Sequence, residues 1–100
     1  MICTLTARRL NPGAYDAFRA AWDPTDAPPE VMGRWKRIYH VRDVEDENVV
    51  ISFGLFDGSL AELREMQTRA GRSDQVKRID PLVDEVLLDG SYEVVEEIAR

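Results

Sequence analysis

One cysteine and one histidine are all the thiol and imidazole that this chain of 100 residues contains. With Cys3 alone no internal disulfide can form, and a reducing cytoplasm is the expected compartment. Cys3 has no cationic neighbour in its strand and reads as a small core residue, not a nucleophile. No cluster of Cys, His and carboxylates has metal-ligand spacing, so no metal is expected. The six glycines are scattered and never build a phosphate-cradling loop. No apolar run approaches the length of a membrane span. Residues 1–7 are too few, and too soon followed by Arg8 and Arg9, to serve as a secretory signal. Positive charge is also in deficit: 13 Lys and Arg against 19 Asp and Glu leave a net charge of -6. That balance argues against nucleic acid as the main partner, because affinity there rests on neutralising phosphates.

What is present fits one ordinary globular domain over residues 1–100, large enough for a modest core without staples. Its organising stretch is 34–56. Two arms rich in β-branched and aromatic residues, Trp35 to Arg42 and Val49 to Phe56, flank the acidic bend at 43–48, which is the pattern of a β-hairpin. With Asp43 facing Asn48, the register places Val41 opposite Val50, Tyr39 opposite Ser52, Arg37 opposite Gly54 and Trp35 opposite Phe56. Both faces of such a hairpin are apolar, so both need a cover.

The flanking chain supplies one of them. Residues 2–7 read as a strand; Asn11 and Pro12 read as the cap and first position of a helix whose stripe is Tyr15, Phe18 and Trp22, ending near Asp23 and Pro24. The proline-rich stretch 23–33 reads as an irregular connection. Ser59 and Glu62 have capping-box spacing and open a helix with Leu60, Leu63 and Met66 inside, stopped by Gly71. Ser73 reads as the cap of a short helix with Val76 and Ile79 inward. The last segment, 82–98, reads as one long strand bent by a bulge at Gly90. The order is β-α-β-β-α-β, an α+β ferredoxin-like antiparallel sheet with helices on one face. The second face stays bare and apolar, which predicts a homodimer closed by packing two sheets together.

These residues resemble the dimeric α/β-barrel superfamily, and within it the antibiotic-biosynthesis-monooxygenase-like proteins. The resemblance spans nearly the whole chain. It rests on the element order, on the Val49-Ile51-Phe53 strand running through Phe56-Asp57-Gly58-Ser59-Leu60 into a helix, and on the terminal stretch 83–95. It implies a pocket between sheet and helices in each subunit, and in some members oxidation of polycyclic aromatic compounds by oxygen with no bound cofactor. Other members open haem with an asparagine on the first strand. Here that strand has none and the single histidine lies on the second strand, so haem chemistry is disfavoured.

On this reading the protein is a cofactor-independent monooxygenase acting on a small aromatic or polyketide-like compound. His40 is the natural general base, because its side chain titrates near neutrality. Tyr39 and Arg37 would hold the resulting anion, while Trp35 and Trp22 sandwich the ring above the small Ser52, and Phe18 and Tyr15 complete the helical wall. The same topology also serves non-catalytic binding, regulatory or scaffold homodimers. A faint likeness of 50–56 to the stacking strand of RNA-recognition domains is opposed by the acidic charge.

Overall fold

The computed structural model describes residues 1–23 and 27–100. It begins with strand β1 (Ile2–Leu10), three residues longer than its apolar pattern predicts, because Arg8 and Arg9 also pair with neighbours on both sides. Helix α1 (Tyr15–Trp22) follows a tight turn in which the Ala14 N–H donates to the Asn11 carbonyl. Asn11 does not cap this helix as expected. Its Nδ2 donates instead to the Pro81 carbonyl at 3.1 Å, tying the turn to the far end of the chain.

The stretch expected to be irregular contains a one-turn helix, α2 (Pro29–Met32), begun by a proline where no amide donor is needed. Pro24, expected to help stop α1, lies outside the described residues. Strands β2 (Trp35–Arg42) and β3 (Val49–Phe56) then form the hairpin. Its tip is closed by its own acids: Asp43 Oδ1 accepts from the Glu45 N–H at 2.8 Å, and Asp46 Oδ1 from the Asn48 N–H at 3.1 Å.

Helix α3 (Leu60–Arg69) begins with the expected capping box, Ser59 Oγ accepting from the Glu62 N–H at 3.2 Å and Glu62 Oε1 from the Ser59 N–H at 3.0 Å. Leu63 and Met66 face inward as expected, whereas Leu60 is exposed. Gly71, at φ 75°, turns the chain into helix α4 (Arg72–Ile79); Ser73 is inside this helix and does not cap it. A single 3-10 turn (Asp80–Leu82) leads into β4 (Val83–Glu93). That strand is single, as expected. Its irregularities fall opposite the Ala7/Arg8 and Arg9/Leu10 steps, however, and Gly90 pairs regularly with Leu5.

The four strands form one antiparallel sheet in the order β2-β3-β1-β4, the ferredoxin-like arrangement. The hairpin register differs from the expected one by a residue. Arg42 pairs with Val50, Val41 with Ile51, His40 with Ser52, Tyr39 with Phe53 and Ile38 with Gly54, and a shift between Trp35 and Ile38 restores the Trp35–Phe56 pair. The physical cause is the tip, where the Asp43 N–H donates to the Val49 carbonyl, one residue out from the guessed pairing. Since alternate residues point to opposite faces, this slip moves Ile38 and His40 to the helix side and turns Tyr39 away.

Two apolar clusters fasten the helices to the sheet. Leu10, Phe18, Val50 and Ile79 join α1 and α4 at one end, and Ile2, Phe56 and Leu63 hold α3 at the other. Phe18, Phe56 and Leu63 are wholly buried, and burial of side chains this size contributes about 1.5–3 kcal/mol each. Between the clusters the helix-side rows are small or polar. Read from β2 to β4 they run Ile38, Gly54, Thr4, Ser91 and then His40, Ser52, Thr6, Asp89. Apart from Ile38 and His40 at one edge and Asp89 at the other, these side chains are too short to reach the helices, and a space is left.

Candidate functional site

That space is a cavity of about 390 Å³ between the sheet and all four helical segments. Thr4, Thr6, Ser52 and Gly54 form its floor, Trp22, Met32, Trp35 and Ile38 its apolar walls, and Arg64, Gln67, Arg72 and Gln75 its helical roof. Gly54 keeps the floor open. A Cβ there would stand 3.0 Å from the Arg37 carbonyl oxygen, 3.1 Å from Ile38 Cγ1 and 3.3 Å from Trp35 Cδ1, too close for the bulged strand beside it.

Trp22 is positioned by contacts from α4. Gln75 Nε2 donates to the Trp22 carbonyl at 2.5 Å, and Arg78 Nε donates to that of Ala21 at 3.1 Å, satisfying carbonyls that the end of α1 leaves open. The Arg19 guanidinium lies 5.7 Å from the Trp22 ring centre. Trp35 is held at the opposite wall, edge-on to Phe56 with ring centres 4.9 Å apart. The two tryptophans therefore belong to different apolar clusters and meet only at the cavity.

One polar row crosses the floor from edge to edge. His40 Nδ1 lies 2.7 Å from Ser52 Oγ, and two strands away Thr6 Oγ1 donates to Asp89 Oδ1 at 3.3 Å, with Arg72 Nη2 3.5 Å from the same oxygen. The His40 ring is wedged edge-on against Trp22 and Phe18, with centres 4.8 and 5.7 Å apart. Burial lowers its pKa below the ordinary 6.5, and the charges of Arg19 and Arg8 lower it further, against a weaker opposing effect from Asp23. The imidazole is thus neutral at pH 7. No group of three or more His, Cys, Asp or Glu among the described residues is placed to hold a metal ion.

The residues singled out from sequence separate into three places. Trp22, Trp35 and Ser52 border the cavity, and His40 stands directly behind Ser52. Phe18 is core and Tyr15 packs against that core, 5.2 Å beneath the Arg42 guanidinium. Arg37 and Tyr39 do not border the cavity: Tyr39 stacks on Phe53, ring centres 5.2 Å apart, and Arg37 Nη1 donates to its hydroxyl at 3.4 Å. The one-residue slip in register is the reason. Thr6, Arg64, Arg72, Gln75 and Asp89 escaped notice although they border the cavity. The alternation of Thr4 and Thr6 along β1 was the available signal; the helical polar residues give none, because a polar helix face ordinarily marks solvent.

The sequence matches no protein-family model and no curated protein. Solved structures do match its shape. A provisionally named antibiotic biosynthesis monooxygenase from Chloroflexus aurantiacus is 15% identical with a TM-score of 0.72, over 98% of this chain and 96% of that one. One similarly named from Deinococcus radiodurans is 11% identical with a TM-score of 0.74, over 100% and 98%. An uncharacterized NIPSNAP domain protein from Burkholderia xenovorans is 13% identical with a TM-score of 0.65, over the full length of both. At such identities the likeness concerns architecture. In sheet order, helix placement and length, the chain has the ferredoxin-like α+β fold that these structures share.

Proposed function

We propose that the protein is a cofactor-independent monooxygenase for a small aromatic or polyketide-like compound, working as a homodimer. The observation that carries this reading is the His40–Ser52 pair at the floor of a cavity walled by two tryptophans. An electron-rich hydroxyarene or anthrone lies between Trp22 and Trp35. Its acidic proton passes to Ser52 Oγ as the Ser52 proton passes to His40 Nδ1, so Nδ1 is the accepting nitrogen. The lowered pKa keeps that nitrogen free at neutral pH, at the cost of a weaker base. The substrate anion then supplies the electrons: its ring carbon adds to O2, the proton held at His40 returns to the peroxide to give a hydroperoxide, and loss of water leaves C=O where the anthrone had CH2 or the hydroxyarene CH. One oxygen atom stays in the product and the other leaves as water.

The homodimer reading rests on the face of the sheet away from the helices. There Tyr39, Val41, Leu88 and Tyr92 are exposed, each over more than a third of its surface, beside the half-buried Ile51, Phe53 and Leu55. An apolar area spanning four strands is larger than monomers usually leave open. The neighbours' names support the reading only by analogy of fold.

Oxygen uptake with an anthrone, followed by mass spectrometry of the product under 18O2, tests the activity. One labelled oxygen per product is expected for the native protein, and His40→Ala should reduce the rate by about 10²-fold or more, the usual worth of a positioned base. Unchanged turnover in that variant would remove the role given to His40. Saturable binding without oxygen uptake favours a non-catalytic binding module. One observation favours that second reading: no carboxylate among the described residues is hydrogen-bonded to His40 to orient it.

A further inference from the structure

The cavity departs from the charge of the chain that contains it. The protein carries a net charge of -6, yet the charged residues bordering the cavity are Arg64, Arg72 and Asp89, two cations and one anion. A third guanidinium stands just beyond the polar row. Arg8 follows Thr6 on the helix side of β1 and is only 5% exposed, and its Nη1 is buried with no hydrogen-bond partner among the described residues. Its guanidinium rests 5.5 Å from the centre of the Phe18 ring, which relieves little of the cost of burying a cation.

Two carboxylates, Asp89 and Asp80, oppose this charge without bonding to Arg8. Burial lowers the Arg8 pKa, and the Arg72 charge lowers it more than either Asp89 or Asp80 raises it. Arg72 itself is loosely held: its contacts to Asp89 Oδ1 and Gln75 Oε1 are 3.5 and 3.4 Å, at the outer limit of hydrogen bonding. A guanidinium has five donors in a planar fork suited to a carboxylate, so most of the capacity of Arg72 is unspent. Asp89 is shared with Thr6 through the same oxygen. The α4 end of the cavity therefore presents a guanidinium with donors to spare, with Trp22 beside it and Trp35 at the opposite wall.

We infer that the cavity takes an organic anion, an aromatic acid whose flat body lies between Trp22 and Trp35 and whose carboxylate or phenolate meets Arg72, with the buried charge of Arg8 behind it. This deepens the reading above and rests on it for the aromatic body. It also replaces Arg37 and Tyr39, on the opposite face, with a cation that the cavity contains. The ligand supplies an anionic acceptor for the unspent donors of Arg72, and water displaced from the tryptophans supplies the remainder of the affinity.

The test compares 2-naphthoate with its uncharged isostere 2-naphthamide, each titrated calorimetrically into the intact protein and followed by tryptophan fluorescence. Naphthoate is expected to bind at least about tenfold more tightly, an advantage that shrinks with added salt. Arg72→Gln should bring naphthoate to the level of naphthamide, with a much smaller loss for naphthamide itself. Arg8→Met, similar in volume and uncharged, should weaken naphthoate alone. Equal affinities for the two probes in the native protein would overturn the anion and leave the aromatic pocket standing. Equal losses of both probes in Arg72→Gln would make that residue a mere wall, and equal losses in Arg8→Met would do the same for Arg8. No saturable binding of either probe would overturn the pocket and the anion together.

Discussion

Burial, Arg19 and Arg8 all push His40 in the same direction, and its titration becomes visible in the stability of the fold. The folded pKa lies below the ordinary 6.5, so in the interval between them the unfolded chain binds the proton more readily. The contribution is present in full above that ordinary value and is lost as pH falls from there toward the folded pKa. Melting temperature is expected to decline between about pH 7 and pH 5, and His40→Gln should flatten that part of the profile. A decline of equal size in the variant would assign it to other groups. Glu62 gives no such interference. Hydrogen bonds from Arg34 and Ser59 hold its pKa down to about 2, so its contribution is lost only as pH falls from the ordinary carboxylate range toward that value. The role of His40 as the one imidazole was legible in the sequence. Its partner was not, because a single-residue slip at the hairpin tip decides whether Ser52 faces His40 or Tyr39.

Helix α3 shows how local chemistry places one wall of the site. Ser59 and Glu62 satisfy each other's backbone donors, and Arg34 joins them, donating to Glu62 Oε2 at 2.8 Å and to the Asp57 carbonyl at 2.9 Å while lying over the Phe56 ring. Arg34 thereby connects the start of β2, the end of β3 and the first turn of α3, the helix that carries Arg64 and Gln67 over the cavity. Ser59→Ala is expected to cost about 1 kcal/mol of unfolding free energy, measured by urea titration at unchanged slope. A loss of a few tenths or less would mean that the Arg34 contacts hold the turn without the cap. This box was legible because it needs only two residues at a fixed spacing. The cap proposed at Asn11 had an equally good local pattern. It failed because the chain makes a turn from Asn11 to Ala14 before the helix begins, and the Asn11 amide is tied to the Pro81 carbonyl, 70 residues away.

The molecule as a whole is a slab of 37 × 36 × 18 Å, the proportions of a sheet covered by helices on one side. Its uncovered side carries the row Leu5, Phe53 and Tyr39, with Leu88 opposite Ala7 and Tyr92 opposite Cys3. Sedimentation equilibrium is expected to report twice the chain mass of 11.4 kDa. Leu88→Glu, which sets a charge on that face without touching the cavity, should give the single-chain mass with the far-UV spectrum retained. A native protein that sediments as one chain would sink the dimer. Among the described residues no helix is long and apolar enough to cross a membrane.

Local pattern alone determined the capping box, the glycine stop at residue 71, the two-sided hairpin and, apart from the one-turn α2, the order of elements. Each depends on periodicity or on contacts within a few residues, where sequence and geometry are tied directly. Tertiary structure decided which face of β2 meets the helices, which polar side chains share the floor, and that Arg8 is buried beside Arg72. The physical reason is the two-residue period of a strand: one slip in pairing reverses every side chain, and the sequence contains no term that charges for it until the second layer packs. The cavity arises in the same way. Thr4, Thr6, Ser52 and Gly54 are unremarkable in their own strands and form an open floor only once two strands are aligned beneath helices held apart by two apolar clusters.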